Sequence, residues 1–214
     1  YAYSDFGAQS PSSGQRRFIS GLDDFARMIE ALAGPCKKAG YGLGVAPHSL
    51  RAVAEDDLAA LVEIRNQFAP DGPIHIHVAE QTKEVDDSLA YSGRRPVERL
   101  GDLVDLDHRW CLIHATHMTD AEAAAVARSG ATVGLCPLTE ANLGDGLFNA
   151  VEYLAHGGHI GIGSDSNVST NLWAELQMLE YSQRLLRRQR NVLVSEQFPN
   201  VGNALQTMVA AGGA

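Results

Sequence analysis

The chain has 214 residues, 20% of them charged, and a formal net charge of −9. That length supports one sizeable core or part of a larger one, and the acidic balance argues against nucleic acid or an anionic membrane, both of which select basic surface. Cys36, Cys111 and Cys136 are odd in number and form no CxxC pair, which argues against a disulfide framework or a thiolate zinc site and fits a reducing cytoplasm.

In chain order, "YAYSDF" reads as the end of a strand. "LDDFARMIEALAG" is a helix stopped by Gly34, and "YGLGVAP" is an apolar run of strand length. "EDDLAALVEIRNQF" is a helix with Leu58, Leu61, Val62 and Arg65 on one side, and it ends before Pro70. "PIHIHVA" and "WCLIHA" are further strands. "TDAEAAAVARSG" carries a capping box, with Thr119 as cap, Glu122 reaching back and Gly130 as the stop. "ATVGLCP" and "HIGIGS" are strands, separated by a helix in "LFNAVEYLAHGG" that ends in two glycines. "NLWAELQMLEYSQRLLRRQRN" is a long amphipathic helix whose basic end, Arg184 to Arg190, suits the helix macrodipole. No apolar run approaches a membrane span. Five continuously apolar strands, six with the first, alternate with helices, so the fold is α/β with a parallel sheet. An open doubly wound sheet and part of a (β/α)8 barrel both satisfy that pattern.

The polar residues separate the two. His48 follows the first of the five runs, His77 and Glu80 close the second, and His114 and His117 close the third. Thr139, Glu140 and Asn142 follow the fourth, and Asp165 follows the fifth. Reactive side chains at the C-terminal ends of successive parallel strands mark the active-site face of a barrel, whereas an open sheet gathers them at one switch point. Taken singly, each has a plainer use: a strand-end histidine as a hydrogen-bonded structural residue, Asp165 as a helix cap. Their convergence favours a shared site. Imidazole nitrogen with carboxylate oxygen suits zinc or a similar divalent ion. Such an ion lowers the pKa of its water to roughly 7. Release of ammonia then needs a proton carrier, for which Glu80 is well placed.

The strings "HVAE", "HATH" and "GIGSDS", in this order, resemble the aminohydrolase branch of the amidohydrolase superfamily. "HIHVAEQTKEVDD", "YSGRRPVERL", "CPLTEANLGDG" and "YSDFG" narrow the likeness to its deiminases of linear amidines. The resemblance implies a partial (β/α)8 TIM-type barrel, roughly its strands three to eight. It implies hydrolysis of N-formimino-L-glutamate to N-formyl-L-glutamate and ammonia in histidine degradation. It assigns His77 as the strand-five metal ligand and Glu80 as the proton shuttle. His114 becomes the strand-six group that polarises the substrate. Asp165 becomes the strand-eight carboxylate that touches the metal, taken as zinc, and takes a proton from water. His48 and Arg51 face the glutamate portion, where an arginine can hold a carboxylate. The expected partner is a small molecule bearing a carboxylate, and a homodimer is left open.

The superfamily's metal-binding HxH pair lies on its first strand, so "HIHVAE" is not that pair. His75 is read as an inward-facing neighbour one layer below His77, while substrate contact by His117 is left open. His108, His156 and His159 are read as surface or turn residues. Asn167 stands where the family pattern often has a histidine, which touches local packing and leaves Asp165 unaffected. No HxH precedes Asp5, and the chain opens without methionine. Residues 1–214 are therefore expected to be a fragment of one hydrolase barrel domain, without the first two strands and the small β domain, and inactive by themselves. Two other readings compete: an aminohydrolase of the same branch acting on guanine, a pterin or a triazine, and a non-catalytic barrel-derived scaffold.

Overall fold

The computed structural model describes Phe6, residues 10–167 and residues 169–213. The "YAYSDF" strand end lies outside the described residues except for Phe6. Among the described residues there are four strands: β1 Ile74–Val78, β2 Trp110–His114, β3 Thr132–Leu135 and β4 His159–Ile162. They pair parallel in the order β1-β2-β3-β4. Sheet order that follows chain order, with no reversal, is the arrangement of a barrel arc and not of a doubly wound sheet. The helices are α1 Leu22–Ala39, α2 Glu55–Phe68, α3 Thr82–Ser92, α4 Pro96–Leu103, α5 Asp120–Ser129, α6 Pro137–Leu143, α7 Ala150–Ala155, α8 Leu172–Arg187 and α9 Val201–Gly212. None of them is long and apolar enough to cross a membrane.

Strand alternation divides the sheet into two faces. Ile74, Ile76, Val78, Leu112, Val133, Leu135 and Ile160 are buried in the core with Leu58, Leu61, Val126 and Leu176 from the helices. His75, Cys111, Thr132, Gly134 and Gly161 face the other way and line a cavity of about 1010 Å³.

Two sequence expectations are corrected. The run "YGLGVAP" forms no full strand; it meets β1 through the isolated parallel bridge Val45–Ile74, and a second bridge, Ser49–His77, follows just after it. Gly42 and Gly44 weaken its strand propensity, and Pro47 has no N–H for a ladder. Helix α1 does not stop at Gly34. It continues through Pro35 and ends at Gly40, whose φ of 73° allows its N–H to reach the carbonyls of Cys36 and Lys37. Lys37 and Lys38 in the last turn complement the helix dipole. The short α3 and α4 between β1 and β2 were not anticipated.

The α2–β1 connection is fixed by a cation. Arg65 is 1% exposed, and its Nε and Nη2 donate to the Gly72 carbonyl at 2.8 and 2.6 Å. A Cβ on Gly72 would lie 1.7 Å from the Leu43 carbonyl oxygen. Gly72→Ala is expected to cost about 1–3 kcal/mol through overpacking, seen as a lower urea midpoint of the full-length protein. An unchanged midpoint would contradict this packing.

Candidate active site

The strand ends carry unusual backbone. Ala79, His114, Ala115 and Asp165 have φ of 51°, 67°, 47° and 50°. None is glycine, and each left-handed residue of this kind costs roughly 1–3 kcal/mol. Tertiary bonds hold them: Ala115 N–H donates to Val78 O at 3.0 Å, and His117 N–H to Ala79 O at 3.1 Å. The conformation matters at His114. Parity along β2 groups it with Trp110 and Leu112, on the helix side. The left-handed turn at the strand end accompanies a side chain directed at Glu80, Glu140 and Asp165 instead.

His114 is the centre of the cluster and is 0% exposed. Its Nδ1 lies 3.2 Å from Glu140 Oε1; the carboxylate can only accept, so Nδ1 carries the proton. Its Nε2 is buried without a hydrogen-bond partner, 3.6 Å from Glu80 Oε1 and 3.7 Å from Asp165 Oδ2. Burial disfavours the imidazolium, but the Glu140 bond and the charges of Glu80, Glu140 and Asp165 outweigh it, so its pKa is raised. Glu140 in turn accepts from Cys136 N–H at 2.9 Å.

His77 lies beside it, ring centroids 5.6 Å apart, and stacks on His48 at 4.8 Å. His77 Nδ1 bonds the His48 carbonyl at 2.8 Å. That bond places the proton on Nδ1 and leaves the Nε2 lone pair for a metal, as seen for metal-binding histidines. Burial lowers the pKa of His48 to about 4, with the charges of His77 and Arg51 adding to it. At neutral pH His48 is therefore an uncharged hydrogen-bonding group. The positive charge comes from Arg51, whose Nη2 donates to Glu80 Oε2 at 3.2 Å.

Three further residues support this set. Glu84, 2% exposed, accepts the N–H groups of Ala79 and Glu80, both at 3.0 Å. It also lies 3.7 Å from Arg51 Nε. Burial pushes its carboxyl pKa up, against the pull of Arg51 and the two amides. Thr139 donates to Ser164 O at 3.0 Å and receives Asn167 Nδ2 at 3.4 Å, so Asn167 ties the loop after β4 to α6. The sequence reading named Thr139 as a strand-end polar residue and Asn167 for local packing, and gave Glu84 no role. The signal for Glu84 was its place at the third position of α3, where a capping-box carboxylate sits.

Of the expected site residues, His48, Arg51, His77, Glu80, His114 and Asp165 are connected by these contacts. His75 shares the face of His77, lower down, and lines the cavity beneath. His117 is engaged elsewhere: its Nε2 bonds the Asp145 carbonyl at 2.7 Å and braces the loop after α6. His108, His156 and His159 are exposed, His159 at the start of β4.

The donor set fits a divalent ion of the zinc type, since imidazole and carboxylate meet in one acid-rich spot. The ligating atoms of His114, Cys136 and Asp165 lie within 4.8 Å of one another. His77 is outside that group and adjoins it through His114. Burial, then the charges of Glu140, Asp165 and Glu175, push the Cys136 thiol up to about 12, so it is protonated at neutral pH.

The barrel arc carries its histidines and carboxylates at the strand ends, as the active-site face of a (β/α)8 barrel does. A sequence profile of the amidohydrolase family matches residues 20–201, and the chain belongs to that family. Formimidoylglutamate deiminase of Pseudomonas aeruginosa is 50% identical over 214 residues, covering 100% of this chain and 47% of the relative. The crystal structure of an amidohydrolase from Brucella melitensis is 54% identical, with a TM-score of 0.93, covering 100% of this chain and 47% of that one. A zinc-bound adenosine deaminase from Xanthomonas campestris, 24% identical, shares the fold with a TM-score of 0.75, covering 82% of this chain and 40% of that one. The chain thus spans about half the length of the curated relative described here.

Proposed function

We propose that the full-length protein hydrolyses N-formimino-L-glutamate to N-formyl-L-glutamate and ammonia. The observation that carries this is Arg51, a cation 3.2 Å from the carboxylate of Glu80 at the strand-end cluster. A glutamate-bearing amidine has a carboxylate to match it, and a neutral nucleobase has none. The likeness to formimidoylglutamate deiminase over all 214 residues supports the same substrate.

His77 and Asp165 would hold a zinc ion with ligands from the rest of the protein, and the ion would supply Lewis acidity and acidify water. Arg51 binds a substrate carboxylate, and neutral His48 adds a hydrogen bond. Asp165 takes a proton from the attacking water. The water oxygen bonds to the formimino carbon, and His114 steadies the charge that develops in the tetrahedral state. Both protons of the water end on the formimino nitrogen: the one taken by Asp165 and the one left on the new hydroxyl pass to it through Glu80, turning NH into NH3. The C–N bond breaks, ammonia leaves, and the formyl carbonyl remains.

Arg51→Ala tests the substrate assignment. Loss of a charge-assisted contact is expected to raise KM for N-formimino-L-glutamate by roughly 10- to 100-fold, with a smaller effect on kcat. Unchanged KM would favour a substrate without a carboxylate anchor.

A further inference from the structure

We propose that Glu84 is a positioning residue that sets Glu80 and Arg51 together, one through its backbone and the other through its guanidinium. This rests on the roles given above to those two residues. The carboxylate of Glu84 is buried, and its two oxygens are divided. Oε1 accepts from Ala79 N–H and Oε2 from Glu80 N–H, each at 3.0 Å. Oε2 also faces Arg51 Nε at 3.7 Å.

The turn it holds is strained, because Ala79 has φ of 51°. Two amides aimed at one buried anion offset that cost. The turn decides where the Glu80 side chain departs from the chain. The third contact decides where Arg51 lies, since its guanidinium spans Glu84 and Glu80. Proton carrier and substrate anchor therefore share one support, a buried acid from the first turn of α3.

Gln is the informative substitution. It retains one oxygen for an amide, but it presents an NH₂ where the second amide or Arg51 requires an acceptor. Glu84→Gln in the full-length protein is expected to lower kcat about tenfold and to raise KM, whereas in a Glu80→Gln background it should change kcat by less than about twofold. An equal loss of kcat in both backgrounds would overturn the proposal, because Glu84 would then act on the fold and not through Glu80.

Ala79→Gly separates turn from charge, since glycine holds a left-handed φ without strain. Added to Glu84→Gln, it should restore part of kcat and leave KM raised, Arg51 still lacking its partner. Recovery of both constants, or of neither, would also overturn the proposal. The cycle is read on whichever amidine or aminopurine the wild type deaminates, so a wrong substrate assignment sinks the functional reading without deciding this one.

Discussion

Glu80→Gln is expected to lower kcat on N-formimino-L-glutamate by about 10³-fold, within the range for loss of a general acid. Glu80 is the proposed proton carrier. One oxygen lies 3.6 Å from His114 Nε2, and the other accepts from Arg51. Gln keeps the size and one acceptor oxygen, so Arg51 keeps a partner and KM should move little. What Gln cannot do is hold and deliver a proton. The expected signature is thus the reverse of that for Arg51→Ala: kcat falls and KM stays. Steady-state kinetics of the two variants side by side separate the roles, and retained kcat in Glu80→Gln would remove Glu80 from the proton path.

His114→Asn is expected to lower kcat by about 10²- to 10³-fold, the range for loss of one oxyanion-type donor. The reason lies in what surrounds Nε2. It is buried without a partner, between Glu80 and Asp165. A buried polar atom left unpaired costs stability unless a ligand completes it. Glu140 fixes the opposite nitrogen, so the ring cannot turn to find another partner. Asn is shorter and cannot place a donor where Nε2 lies. If Asn at this position retained most of kcat, His114 would be a structural residue of the β2 end.

Much of this was legible in the sequence where a local rule operates. The capping box at α5 reads directly, and the structure has it in full: Thr119 caps Glu122 N–H, the Glu122 side chain returns to Thr119 N–H, and Gly130 is left-handed. The apolar runs from "PIHIHVA" onward became strands, and His77, Glu80, His114, Glu140 and Asp165 at their ends converge. Residues that depend on tertiary contact were not legible. Parity alone puts His114 on the wrong face, because it contains no information about a strained non-glycine turn. His117 looked free at a strand end, yet it meets a carbonyl 28 positions away. Glu84 reaches back past its own helix cap, further than a capping rule extends. At Gly34–Pro35 the local breaker signal lost to the continuing helix, which found its cap six residues later at Gly40.

The most direct test is ammonia release by the full-length protein, expressed with zinc, on N-formimino-L-glutamate beside guanine and other amidines. Turnover of the formimino compound alone is the predicted result. Turnover of guanine with none of the formimino compound would keep the family and its site but contradict the substrate assignment, and silence on every compound would contradict the catalytic reading itself.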